Sequence, residues 1–370
     1  MALINYYNLK EQFVDCQSFI LGGMQTVFAS GQFYSGEAHD AVARYVRVKY
    51  DNAYVELTNS GTSALIATLM SLYTKRGSRV LLPALTYAAT AQAIMSVGCI
   101  PTFVDIDSSW LLDIDLLDEM YAKYGDEIST LITVDLYGQG IDLTIIREWC
   151  DKHNIKWIID AAHSFGICSK EYNQTVADAI CLSFNPLKNL GGSGGGAVVT
   201  KTIHPTILNA TCMMGKTELG PHGAIELPGL NFRMLSTQAA TLVGKVPYYE
   251  DHIIRKMAIC ETYYNHFRNY PDKINLPIRK SWGTWNYYSF SIAPVKHENI
   301  KVALKDAGIE YSSHYSKSLN HEGFVKQYGY QPCPEAEYIT SNKRVISLPS
   351  HWHLTNEQVN TVITTVLSAI

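Results

Sequence analysis

Between residues 79 and 200 the chain alternates short apolar runs with stretches whose apolar positions recur at helical spacing. Arg79–Leu82 precedes a proline and a helix candidate over Thr86–Val97. Ile100–Ile106 and Thr130–Leu136 follow, then a helical pattern over Leu143–His153, then Lys156–Asp160, Ala179–Phe184 and Ala197–Thr200. Buried strands alternating with helices imply crossover units and a mostly parallel sheet covered on both faces. The runs end in Pro83, Asp105, Asp135, Asp160 and Ser183. In open α/β sheets ligands bind beyond the carboxyl ends of the strands, so these five together predict a site at that edge, although each alone suits a turn. After about Gly229 the pattern changes. A long helix is predicted over Thr237–Ile259, interrupted at Pro247, then strands over Trp285–Ala293 and Ile309–Ser313, then a helix over Asn356–Ile370. The reading is α/β, with a large domain over 1–245, its N-terminal arm included, and a small C-terminal α+β domain over 246–370.

The length of 370 residues suits two such units. Hydrophobic residues at 47% and charged residues at 17% disfavour a disordered chain. Thirty Lys+Arg against 34 Asp+Glu give a net charge of −4, which disfavours a nucleic-acid binder. No apolar run is long enough to span a membrane, and no export signal is visible, so a cytoplasmic protein with reduced thiols is expected. The eight cysteines (Cys16, Cys99, Cys150, Cys168, Cys181, Cys212, Cys260 and Cys333) contain no paired metal-knuckle spacing.

Three stretches carry chemistry. Asn59-Ser60-Gly61-Thr62-Ser63-Ala64-Leu65 opens an apolar helix, whose unpaired first-turn N–H groups and positive dipole end suit a phosphate; an ordinary N-cap reads the same way. Asp160-Ala161-Ala162-His163-Ser164-Phe165-Gly166 ends a buried strand. A carboxylate there, flanked by alanines, leaves room for a flat cationic ring, with an attraction of about 4 kcal/mol at 4 Å and an effective dielectric of 20. Ser183-Phe184-Asn185-Pro186-Leu187-Lys188 leads into Asn189-Leu190 and a run of glycines broken by Ser193. Desolvation there makes Lys188 a nucleophile or base. The glycines follow the lysine, which excludes a phosphate-binding loop with glycines ahead of it. A phosphate cradle, a carboxylate for a ring nitrogen and a lysine for an aldehyde are the needs of pyridoxal phosphate (PLP).

The order of these stretches resembles fold-type-I PLP-dependent aminotransferases, and more narrowly the DegT/DnrJ/EryC1/StrS sugar aminotransferases. Residues 82–107, 134–142, 228–234, 314–315 and 347–359 are similar to that family as well, so the likeness runs from about Gly31 to the C-terminus. The resemblance implies that Lys188 bonds to the cofactor aldehyde and moves the proton, and that Asp160 bonds the pyridine nitrogen. It implies that His163 stands near the phenolic oxygen, Tyr87 stacks on the ring, and Gly61, Thr62, Ser63 and Ser183 hold the phosphate. Asn231 is implied to reach the phosphate of the neighbouring subunit, in a homodimer with shared sites. His314, Tyr315 and Arg233 are the implied substrate contacts. The implied reaction moves an amino group from L-glutamate to a nucleotide-linked keto-sugar, in amino-sugar biosynthesis. One departure stands out. The family has Gly then Glu or Asp where this chain has Ser193 and Gly194.

Other readings compete. A carbocyclic substrate, aminated or aromatised, and a PLP-binding regulatory protein without turnover fit the same cofactor motifs. A cysteine-desulfurase-like lyase shares the Asp-Ala-x-His element, but places His directly before its lysine, where this chain has Leu187. Arg279 and Lys280 are candidates for a diphosphate contact, and Tyr287, Tyr288 and Tyr315 for packing on a base or sugar. His351-Trp352-His353 has a metal-like spacing but lacks a companion cluster, so no metal is expected.

Overall fold

A computed structural model describes residues 3–167, 172–217, 224–280 and 285–370; Cys168 lies outside them. The chain opens with helices α1 (Leu9–Ser30) and α2 (Glu37–Lys49), then strand β1 (Tyr54–Thr58) and α3 (Gly61–Ser71). Next come β2 (Arg79–Pro83), α4 (Ala88–Ser96), β3 (Ile100–Val104), α5 (Leu117–Tyr124) and β4 (Ile128–Val134). The central part continues with α6 (Leu143–His153), β5 (Lys156–Asp160), β6 (Ala179–Ser183), β7 (Gly196–Thr200) and α7 (Pro205–Cys212). The C-terminal part holds α8 (Ser236–Phe267), β8 (Ile274–Asn275), β9 (Phe290–Pro294), α9 (His297–Asp306), α10 (Pro334–Thr340), β10 (Ile346–Leu348) and α11 (Asn356–Ser368). No helix among the described residues is long and apolar enough to cross a membrane.

Seven strands form one sheet in the order β1-β7-β6-β5-β4-β2-β3. Strands β2 to β6 run parallel, while β7 is antiparallel to both β6 and β1. The apolar runs thus make the covered parallel sheet expected of them. The strand order reverses between β2 and β4, as a crevice at the carboxyl edge requires. Register sets Asp160 beside Val134, and Ser183 beside Gly196. A three-stranded antiparallel sheet, β10-β9-β8, forms the second layer system.

Each sheet has its own apolar core. Helix α8 serves both, giving Leu242 and Tyr249 to the larger core and Ile259, Tyr263 and Phe267 to the smaller. The exchange is not one-way. Leu319, Val325 and Ile339 return from the C-terminal part to the larger core, and Ile4 packs in the smaller.

Three elements differ from expectation. The strand expected over Trp285–Ala293 begins only at Phe290, because Tyr287, at φ +50°, and the segment before it run to Tyr137 and Gly138 instead of along β10. Pro247 does not interrupt α8, which runs unbroken over 32 residues. Proline removes one helical hydrogen bond, but α1 and α2 pack along α8 and hold both sides of the site. Ile309–Ser313 forms no strand. Ile309 bridges Ile4 and Ser312 bridges Ser347, one residue each, because the three-residue β10 is too short to template a longer ladder.

Candidate functional site

The site grows from the ends of β5 and β6. The apolar run Trp157-Ile158-Ile159 buries β5 and delivers Asp160 to the sheet edge, still enclosed. One carboxylate oxygen accepts from Thr90 Oγ1 of α4 at 2.8 Å, the other from the Ala162 N–H at 3.1 Å. Burial pushes the Asp160 carboxyl above its ordinary value, while these two bonds and Lys188 pull it back. A cation set against it would favour its ionised form.

Helix α3 begins where β1 ends. Ser60 caps it, accepting from the Ser63 N–H at 3.1 Å. The Ser63 hydroxyl donates to Asn59 Oδ1 at 2.6 Å, so it is spent inside the cap and does not line the cavity. Gly61 and Thr62 do line it, next to Ser183. A Cβ on Gly61 would stand 2.7 Å from the Ser183 Cβ, so the helix start and the β6 end meet only because residue 61 is glycine. Beside the same helix start, Gly194 has φ +113°, a conformation that side chains rarely adopt. A Cβ there would meet Gln238 Nε2 at 2.8 Å. This amide donates to Asn59 O at 3.3 Å.

Lys188 sits on a turn after β6, tied by its own N–H to Asn185 O at 2.9 Å. The Asn185 side chain accepts from the Leu187 N–H at 3.1 Å and tightens the turn. The ammonium stands 4.3 Å from the Tyr288 ring centroid. Burial pushes the Lys188 amine down to about 8; Asp160 opposes the shift and Lys256 adds to it.

His163 lies flat on Tyr288, centroids 3.9 Å apart and planes at 16°. Its Nδ1 accepts the Tyr137 N–H at 3.2 Å, which leaves the proton on Nε2. Burial, with Lys188, His314 and Lys256 nearby, holds its pKa well below the usual value, so the ring is neutral. Nε2 faces the Tyr315 hydroxyl at 3.4 Å. His314 is pinned by the N-terminal arm. Tyr6 OH meets its Nδ1 at 3.2 Å and Tyr7 OH its Nε2 at 3.5 Å. Burial pushes His314 down to about 4, so it too is neutral. Tyr87 is 60% exposed at the mouth, its ring centroid 5.9 Å from that of Tyr315.

Together these groups enclose a cavity of about 340 Å³. It gathers Gly61, Thr62, Tyr87, Asp160, His163, Ser183, Lys188, His314 and Tyr315 from the residues singled out in the sequence. Asn231 and Arg233 lie outside it. Asn231 is exposed and accepts from Arg233 Nε at 3.2 Å, and the Arg233 guanidinium lies 4.1 Å from the Tyr34 ring centroid. Of the five strand-end residues, only Asp160 and Ser183 face the cavity. Asp105 caps α10 by accepting from the Glu335 and Ala336 N–H groups, and Asp135 is buried against Ser164 and Gln174. Tyr288 lines the cavity, whereas Tyr287 is buried against Glu261. Arg279 pairs with Glu261 and Lys280 with Asp107, so neither projects freely. His351 bonds Asn5 O, and His353 bonds Asp15. Sequence reading missed Thr90, Tyr6, Tyr7 and Lys256. Only Thr90 carried a signal, one helical turn after Thr86 and on the same face.

A model of the DegT/DnrJ/EryC1/StrS aminotransferase family matches residues 15–367. The chain belongs to this family. It is 29% identical over 371 residues to the UDP-2-acetamido-2-deoxy-3-oxo-D-glucuronate aminotransferase of Pseudomonas aeruginosa, covering 97% of this chain and 98% of that protein. It is 27% identical over 368 residues to the erythromycin biosynthesis sensory transduction protein EryC1 of Saccharopolyspora erythraea, covering 98% of each. The fold matches a DegT/DnrJ/EryC1/StrS aminotransferase from Brucella abortus with a TM-score of 0.88, at 25% identity, over all of this chain and 99% of that one. The family's aminotransferase fold thus extends over the whole chain, both sheets included, and the cavity stands at the carboxyl edge of its parallel sheet.

Proposed function

We propose that this family member transfers an amino group from L-glutamate to a nucleotide-linked keto-sugar, with PLP in the cavity at the ends of β5 and β6. The observation that carries the reading is the convergence of Asp160, Lys188 and the start of α3 on one cavity. The residues fit the cofactor. An enclosed carboxylate has no ion-pair partner among the described residues, a lysine amine is lowered to about 8, and a helix start is open where a Cβ would fill it. The activity of the Pseudomonas relative, a UDP-linked keto-sugar aminotransferase by name, supports the substrate class.

PLP, when bound, supplies an aldehyde that exchanges with amines and a cationic ring that withdraws electrons from the neighbouring carbon. Asp160 would hold the ring nitrogen and keep it protonated. The first-turn N–H groups of α3, with Thr62 and Ser183, would hold the phosphate. His163 has its proton on Nε2 and so can donate to a ring oxygen. Tyr87 would cover the ring from the mouth. Lys188, lowered to about 8, has a larger free-amine fraction near neutrality than an ordinary lysine, and that amine would bond the aldehyde and, once released, would hold and move the substrate's proton. His314 and Tyr315 stand at the substrate side.

Two structural readings belong with this proposal. The division between large and small domains falls near residue 245, within α8, whose two halves serve different cores. The working unit is a homodimer in which Asn231, whose carbonyl accepts from Asn59 at the rim of its own cavity but whose exposed side chain does not line it, reaches the partner's site. Leu230 and Leu235 beside it are exposed apolar residues that such an interface would cover.

The test is a half-reaction. Cofactor-loaded protein mixed with L-glutamate should release one equivalent of 2-oxoglutarate and retain pyridoxamine phosphate. A panel of ketones then identifies the acceptor. Failure of every amino donor tried to release its 2-oxo acid and leave pyridoxamine phosphate would remove the transaminase reading. Turnover of a ketocyclitol but no nucleotide-linked keto-sugar would replace the substrate.

A further inference from the structure

Lys256 lies on α8, enclosed, with no carboxylate partner among the described residues. Its ammonium donates to Asn189 Oδ1 at 2.8 Å and to the Tyr288 carbonyl at 2.7 Å. Both acceptors touch the proposed cofactor lysine. Asn189 follows Lys188 directly, and its amide donates to Asn286 O at 3.2 Å. Tyr288 carries Lys188 on its ring at 4.3 Å and stacks on His163. Lys256 itself stands 5.8 Å from the centroid of that ring. One side chain of α8 therefore ties together the lysine turn, the segment before β9 and the His163 stack.

A buried ammonium held by neutral oxygens is costly. A neutral donor could make either hydrogen bond. What lysine adds is a second positive charge beside the first. We propose that Lys256 is a positioning residue for Lys188, fixing its turn through Asn189 and Tyr288 and acting on its amine as a neighbouring positive charge. The proposal rests on Lys188 being the lysine that takes the cofactor.

The charged and titratable groups around Lys256 are Cys260 on α8 itself, Lys188 and His163 from the turns after β6 and β5, and His314 and His351 from the C-terminal part. Asp160, the acid of the cavity, acts on Lys188 in the opposite sense to Lys256, so the two charges compete over one amine. Burial pushes Lys256 down to about 8, which still leaves it protonated at pH 7.

The experiment is competitive trace acetylation of the full-length cofactor-free chain with acetic anhydride, with the Lys188 peptide quantified by mass spectrometry across pH. Lys256→Gln, which keeps a donor but loses the charge, should acetylate at Lys188 about tenfold more slowly at pH 7, one unit of pKa. Lys256→Arg, which keeps the charge, should stay within about twofold of wild type. Folded Lys256→Gln protein labelling Lys188 as fast as wild type overturns the proposal, as does an Arg variant slowed like Gln. Borohydride reduction of the PLP-loaded wild type checks the underlying reading separately. A cofactor adduct on another lysine removes the function proposed above, and leaves the acetylation result for Lys256 intact.

Discussion

At the scale of single residues, the site is a set of groups held away from their ordinary ionisation. Asp160 is raised, Lys188 and Lys256 are each lowered to about 8, and His163 and His314 are neutral. Burial is the leading cause throughout, so each group answers to whatever charge enters the cavity. Asp160→Asn should weaken PLP binding by on the order of a hundredfold or more, read by absorbance titration. Lys188→Ala should hold the cofactor without a covalent bond and complete no turnover; full transamination by that variant would sink the assignment. His163 and Asp160 were legible in the sequence because they sit three residues apart at the end of an apolar strand. Lys256 was not. In α8 it is one of several charged residues, and nothing local tells which side of a helix a second core will cover.

Among the elements, α3 and α8 show what pattern does and does not convey. Every short apolar run between residues 79 and 200 became a strand, to within two residues at either end, since a strand buried on both faces is written in its own composition. The cavity needs more, namely that the start of α3 meets the end of β6, 122 residues later, through Gly61. Gly61→Ala should lower PLP affinity well beyond its effect on thermal stability, because the new Cβ displaces Ser183 rather than the core. Equal losses in both would show that the contact serves the fold alone. Pro247 misled for the opposite reason. A local breaker was overruled by packing from α1 and α2, which no window of sequence contains. Pro247→Ala should therefore raise stability, by at most about 3 kcal/mol, without altering the half-reaction with glutamate. A fall in the melting temperature would mean that proline sets a bend that the core needs.

The molecule as a whole stores its ionisation as stability. A lysine with a lowered folded pKa binds fewer protons than the unfolded chain between that pKa and the ordinary one, so stability rises with pH there. Lys188 and Lys256 open this window at about 8. Buried thiols close it. Cys150 and Cys260 are pushed up to about 12, and Cys181, Cys212 and Cys333 are raised as well, so above about 9 the unfolded chain releases more protons than the lysines bind. The melting temperature of the cofactor-free protein should climb from pH 8 to about 9 and fall beyond, and Lys256→Gln should flatten the climb. The proposed dimer has its own signature. Mixed Lys188→Ala and Asn231→Ala chains, each inactive alone, should recover about a quarter of wild-type activity when dissociated and reassociated, because half the dimers are hybrids with one whole site. No recovery would assign Asn231 to its own chain.

Ile4 pairs with Ile309, Tyr6 binds His314, and the Asn5 carbonyl accepts from His351. Residues 4–7 are thus fastened by residues synthesised roughly three hundred positions later. Until residues 309–351 are made, Tyr6 and Tyr7 have no seat and His314 has no fixed orientation. The parallel sheet, complete by residue 200, can form earlier from contacts already present. During synthesis the substrate side of the cavity is therefore the last part to acquire its shape, and a nascent chain stalled before residue 309 would hold the lysine and the carboxylate with no wall to select what they meet.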